Sequence, residues 1–124
     1  MTSTMPMPRN DIDLIEVSPR DGLQNEKIPM TVAQRIDLIT QLADAGAKRI
    51  EAVAFVHPTR VPQMANAEEV MGGLPRDNGV SYSGLILNRK GLDRALESKV
   101  DEVHLVIPGT DEMSLANQNV TVAE

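Results

Sequence analysis

Apolar residues along this chain alternate between two rhythms. Short β-branched runs of strand length occupy residues 12–17 (Ile12, Leu14, Ile15, Val17), 48–56 (Ile50, Ala52, Val53, Ala54, Phe55), 80–87 and 102–107 (Val103, Leu105, Val106, Ile107). Between them lie stretches with helical spacing. Val32, Ile36, Ile39, Leu42 and Ala43 share one helical face. Thr31 and Gln34 have the spacing of a capping box, and Gly46 is placed to end that helix. A second helix of about ten residues is expected around Met64, Ala67, Val70 and Met71, stopped by Gly72 and Gly73. A third is expected after Asn88, carrying Leu92, Ala95 and Leu96. Gly84, inside the third strand, points to close approach by another backbone or a ligand. Residues 110–120 read as a polar loop, and Thr121 as the start of a fourth helix.

Strands that alternate with helices and read as near-continuous apolar runs indicate a parallel sheet covered by helices. The pattern is three βα units and a fourth strand. It closes either as an open doubly wound sheet or as the first half of an eight-stranded (β/α) barrel. No Gly-x-Gly-x-x-Gly or Walker-type loop follows the first strand, which weighs against the nucleotide-binding doubly wound form. The 124 residues are half of the about 250 that a full barrel needs. Residues 1–11, polar and rich in Pro and Met, read as a flexible N-terminal arm of a cytoplasmic protein, and 12–124 as one incomplete catalytic domain.

Composition narrows the partners. A net charge of −6 argues against nucleic acid or an anionic membrane. No apolar run approaches the length of a membrane span, and the absence of cysteine removes disulfides and thiol chemistry from these residues. Aromatics are 2% of the chain, so the core must be built from aliphatic residues and Met.

The candidate chemistry sits where the first strand stops. Pro19 cannot continue a parallel ladder, and Arg20, Asp21 and Gly22 follow at once. A cation and an anion are thereby placed at the carboxyl end of a strand, where α/β folds bind ligands. From spacing alone, these charges suit either a solvated turn or a catalytic Arg beside a metal-binding Asp. Glu51, inside an apolar strand, needs a partner, and Arg20 on the neighbouring strand is the natural one. The two histidines lack metal-ligand spacing. His104 is expected to pack within the fourth strand or face a helix, and His57 to sit at the productive end of the second strand.

Ser-Pro-Arg-Asp-Gly-Leu-Gln-Asn-Glu at 18–26 resembles the first-strand motif of the hydroxymethylglutaryl-CoA lyase family, a branch of the metal-dependent (β/α)-barrel lyases and synthases. The resemblance continues through Ile-Glu-Ala-Val-Ala-Phe-Val-His-Pro-Thr-Arg-Val-Pro-Gln-Met at 50–64, Leu-Asn-Arg-Lys-Gly at 87–91 and Asn-Gln-Asn at 117–119. It implies the N-terminal half of a TIM barrel, truncated after about strand four, and retro-aldol cleavage of a 3-hydroxyacyl-CoA to acetyl-CoA and acetoacetate. It further implies that Arg20 supports the developing enolate, that Glu51 orients Arg20, that Asp21 ligates Mg²⁺ or Mn²⁺, and that Gln24 and Asn117 contact substrate. The family's remaining metal ligands, a His-x-His pair and an Asn, have no counterpart within these residues, so the chain alone is expected to be inactive. Family precedent suggests a homodimer for a full-length parent.

Two departures bear on substrate. Ala54 stands where these lyases usually carry Ser, and His57 and Thr59 replace Ser or Asn and then Lys. They leave open a related barrel lyase or synthase acting on another acyl-CoA, such as citramalyl-CoA. A non-catalytic half-barrel module is the alternative from a different class.

Overall fold

The computed structural model describes residues 12–118, with no side-chain description at 114 and 116–118. The expected arm at 1–11 and the helix expected from Thr121 lie outside the described residues, as does the side chain of Asn117. Three parallel strands, β1 (Arg49–Ala54), β2 (Ser81–Ile86) and β3 (Glu102–Leu105), pair in the order β1-β2-β3. They alternate with α1 (Val32–Asp44), α2 (Ala67–Gly72) and α3 (Arg89–Glu97), and α4 (Asp111–Gln118) follows β3. Spatial order follows chain order without the reversal that defines a doubly wound sheet, so the winding is that of a barrel wall.

The first expected strand is the main difference. Residues 12–17 lie along β1 but pair through a single parallel bridge, Glu16 with Ile50. Glu16 N–H donates to the Arg49 carbonyl at 2.9 Å and Glu51 N–H donates to the Glu16 carbonyl at 2.9 Å. One neighbour is present on one side only, so the ladder does not extend, and Ile12 and Leu14 remain 55% and 83% exposed. On the opposite edge Leu105 and Ile107 are exposed as well. These two open apolar edges are the unclosed seams of an incomplete barrel.

The helices pack as their sequences dictate. Thr31 Oγ1 accepts from Gln34 N–H while the Gln34 side chain accepts from Thr31 N–H, completing the capping box. At the other end Gly46 adopts φ +111°, and the N–H groups of Gly46 and Ala47 donate to the carbonyls of Ala43 and Leu42. That pairing is a Schellman stop, which only Gly enters without strain. Ile39, Val70, Met71 and Ala95 from the helices bury against Ile50, Ala52, Tyr82 and Ile86 from the sheet. Each fully buried aliphatic side chain contributes about 1.5–3 kcal/mol.

Three local expectations need correction. The second helix is only Ala67–Gly72, because Asn66 turns into the left-handed region at φ +62° and cuts it from a 3-10 turn at Pro62–Met64. The segment read as a loop after residue 110 forms α4, whose first turn is capped by Thr110 Oγ1 accepting from Met113 N–H at 3.2 Å. At Gly84, the close neighbour is a side chain, the ring of Phe55, and not backbone or ligand. One buried cation also went unforeseen. Arg35 is 2% exposed, donates from Nη1 to the Ala65 carbonyl at 2.6 Å, and has its pKa lowered by burial.

Candidate active site

The strand-ending Pro19 is buried, and the chain turns there into a single π-helical turn, Ser18–Gly22. Arg20, Asp21 and Gly22 all aim their N–H groups at the Val17 carbonyl. Glu16 braces the turn from below, its Oε1 accepting from Ser18 N–H at 3.0 Å. The Ser18 side chain and N–H hold the Glu16 carboxyl below the ordinary carboxylate range. A carboxyl with a lowered folded pKa stabilises the fold above its unfolded value and loses that contribution as pH falls through the folded value. Between about pH 5 and about pH 3, the melting temperature of the native chain should therefore fall more steeply than that of Glu16→Gln. Parallel slopes would show that this brace carries no stability.

The turn delivers Arg20 to β1. Arg20 Nε donates to Glu51 Oε1, and Glu51, with a side chain only 5% exposed, is the buried anion of the site. From the same guanidinium, Nη1 lies 3.4 Å from Asp21 Oδ1 and 3.5 Å from Gln24 Oε1, contacts too long to hold it firmly. Arg20 is thus gripped through Nε, and its outer edge remains open to a ligand. Asp21 is 60% exposed beside it.

Arg20 and Gln24 border a cleft of about 870 Å³ at the carboxyl ends of β1 and β2. Arg20 and Gln24 line one wall, Phe55, Val56 and Leu85 the apolar part, and His57, Arg60 and Lys90 the polar rim. Arg94 also lines it but is occupied, donating to Glu68 and to the Val56 carbonyl; that pairing lowers the Glu68 pKa. Arg60 and Lys90 have no carboxylate partner among the described residues. His57 Nδ1 accepts from Thr59 N–H at 3.2 Å, so the two unusual positions on this rim form one local turn.

The sequence motifs meet physically. Leu23 packs against Ala54, Met64 and Leu85, together with Val56 and Val61. Gln63 Nε2 donates to the Glu26 carbonyl at 2.8 Å, fastening the end of the first motif to the second. Arg20 and Glu51 pair directly, with Asp21 and Gln24 beside the Arg20 guanidinium, while Asn117 lies on α4 with its side chain outside the described part. Expected to pack in its strand or face a helix, His104 instead places Nδ1 against Glu51 Oε2. Its role was invisible in the sequence because the register between β1, β2 and β3 decides it. Arg60 and Lys90 were likewise unmarked, although both lie inside recognised blocks.

As for a metal, Asp21 offers one hard oxygen donor of the kind divalent cations favour. No group of three or more His, Cys, Asp or Glu able to hold an ion occurs among the described residues. The described residues therefore do not complete a coordination sphere.

A parallel (β/α) wall with an Arg–carboxylate pair and a cleft at its carboxyl ends is the arrangement in which (β/α) barrels place their ligand sites. The comparisons name the branch: the HMGL-like family profile matches residues 11–124, and the chain belongs to that family. It is 44% identical over 113 residues to the hydroxymethylglutaryl-CoA lyase of Pseudomonas mevalonii, covering 91% of this chain and 38% of that protein. It is also 44% identical to a Pseudomonas aeruginosa lyase named for both 3-hydroxy-3-isohexenylglutaryl-CoA and hydroxymethylglutaryl-CoA. Among solved structures, a lyase from Acinetobacter baumannii with coenzyme A and 3-methylmalate superposes with a TM-score of 0.86 at 43% identity, over 90% of this chain and 36% of that one. The chain thus spans well under half the length of these relatives and corresponds to the N-terminal part of their TIM barrels. Among the described residues, no helix is long and apolar enough to cross a membrane.

Proposed function

We propose that this chain forms the enolate-stabilising part of a hydroxymethylglutaryl-CoA lyase. The observation that carries this reading is the fixed Arg20: its Nε is held by the buried Glu51 carboxylate and its outer edge faces the cleft. In the cleavage, the substrate hydroxyl loses its proton and the C2–C3 bond breaks. C3 becomes the ketone of acetoacetate, and the electron pair moves to C2 and the thioester oxygen. Arg20 meets the charge developing on that oxygen. A preorganised cation there stabilises the transition state more than the neutral ground state. Gln24 lines the same wall and contacts the substrate, and Asn117 would approach from α4. Protonation of C2 then gives acetyl-CoA.

A divalent cation, Mg²⁺ or Mn²⁺, supplies acidification of the substrate hydroxyl when bound, with Asp21 as one of its ligands. The other donors come from outside the described residues, so the chain by itself should not turn over. Arg60 and Lys90 on the rim suit the phosphates of an acyl-CoA. A full-length parent would form a homodimer in the cytoplasm, with neither nucleic acid nor membrane as partner. The His57–Thr59 turn, beside Ala54, favours a second reading in which a related acyl-CoA such as citramalyl-CoA is preferred.

The test is cleavage of hydroxymethylglutaryl-CoA and citramalyl-CoA by the full product of the reading frame, with and without EDTA. Chelator-sensitive acetyl-CoA release from one of them is expected, with none from residues 1–124 alone. Absence of cleavage of either ester by the full product would remove the lyase reading. Turnover by the short chain would show that its own residues complete the metal site.

A further inference from the structure

We infer that His104 is a positioning residue of this site, acting on Arg20 through Glu51; the catalytic part of this inference rests on the lyase reading above. Glu51 lies level with Ser83 on β2, and Ser83 lies level with Glu102 on β3. His104 follows two residues further, in register with Leu85, toward the carboxyl ends of the strands. The short Ser83 side chain hydrogen-bonds back to the Ile50 carbonyl at 3.4 Å, leaving Glu51 and His104 to meet across β2. One step below, Arg49 Nη2 holds Glu102 at 3.1 Å, a parallel bridge across the same three strands.

The hydrogen-bond inventory gives each Glu51 oxygen a partner. Oε1 accepts from the Arg20 guanidinium, and Oε2 faces His104 Nδ1. In the inferred arrangement His104 Nδ1 donates to Oε2. Buried at 5% side-chain exposure, Glu51 has little water to satisfy Oε2. Without His104 the carboxylate loses its second anchor and can rotate about its terminal torsion, taking the Nε grip on Arg20 with it. Imidazole thus fixes the carboxylate, and the carboxylate fixes the guanidinium. Carboxylates and histidines behind a reacting group tune it in this way elsewhere, and removing such an outer partner typically costs about 10–100-fold in activity.

The first test reads geometry in the 124-residue chain. Imidazole ¹⁵N–¹H spectra should show His104 protonated at Nδ1, and the Arg20 Nε–H resonance should be sharp. His104→Asn, whose amide nitrogen can replace Nδ1, should keep that resonance sharp, and His104→Val should broaden it. A wild-type His104 protonated only at Nε2 overturns the inference, and so does an unchanged Arg20 signal in folded His104→Val. The wild-type spectrum decides even where the Val variant does not fold. In the full product, His104→Val should lower kcat about tenfold with KM within about twofold, and His104→Asn should restore most of it. Failure of the lyase reading would appear as no wild-type turnover, whereas failure of the positioning role appears in the spectra.

Discussion

On the proposed function, replacing Arg20 by Met is expected to lower kcat for acyl-CoA cleavage about 10²–10³-fold, with KM changed only a few-fold. That range is typical for loss of one preorganised donor to a developing oxyanion. The split matters because losing an interaction made only in the transition state lowers kcat and kcat/KM together, whereas losing uniform substrate binding raises KM alone. The proposed role of Arg20 is the former. Its Nε is committed to Glu51, and its contacts to Asp21 and Gln24, at 3.4 and 3.5 Å, are weak enough to yield to substrate. Lys is not an adequate substitute, since a point-charge ammonium cannot grip Glu51 through one atom while presenting a planar edge to the cleft. Arg20→Lys should therefore recover little of the rate. The Met variant also leaves Glu51 buried without its cation, which destabilises a fold by about 3–5 kcal/mol where no relaxation occurs. Arg20→Met with Glu51→Gln removes that unpaired charge, so the double variant should regain stability without regaining kcat. Steady-state cleavage kinetics alongside urea denaturation separate the two effects. A Met variant with normal kcat and raised KM would make Arg20 a substrate anchor and nothing more.

Much of this site was legible because it is written in local signals. Pro19 ends the strand, Thr31 and Gln34 start a helix, Gly46 ends it, and a lone Glu in an apolar strand calls for a cation. Each depends on residues within a few positions, or on the adjacency of neighbouring parallel strands. Hidden features depend on register or on distant backbone. His104 reaches Glu51 because Ser83 lies level with Glu51 and Glu102, an alignment with no sequence signature. Arg35 finds its acceptor at Ala65, 30 residues away, in a loop whose path depends on Asn66 turning left-handed. The first strand misled for a different reason. Its apolar run suits a two-sided strand, but a strand pairs along its length only where neighbours and covering layers exist. Here, among the described residues, β1 is the strand that meets it. Residues 110–118 read as a loop because their polar run presents no apolar stripe to count, although they form α4.

The second large effect is expected at the floor of the cleft, where Phe55→Ala should cost about 3–5 kcal/mol. Phe55 is 2% exposed and packs into the core that joins β1 and β2 to the helices, while it also lines the cleft. Its surroundings are built to its shape. A Cβ on Gly84 would come within 2.4 Å of the ring's Cε2, and one on Gly91 within 2.9 Å of the Phe55 carbonyl oxygen. Arg94 lies over the ring with its Cζ 5.6 Å from the centroid, adding a cation–π contact to the outer face. Gly84 is therefore a volume complement to Phe55, and Gly84→Ala should itself cost about 1–3 kcal/mol by overpacking. The two changes should not add. With the ring gone, the methyl group at position 84 occupies part of the vacated space, so the double variant should be more stable than the sum of the singles predicts, by about 0.5–3 kcal/mol. Urea midpoints of the two singles and the double measure this directly. Strict additivity would mean that the ring swings aside to admit the methyl group, and that Gly84 owes its identity to something other than Phe55. Coupling of the expected sign would tie cleft and core to the same side chain. A substitution meant to widen the cleft at position 55 would then have to be compensated at position 84.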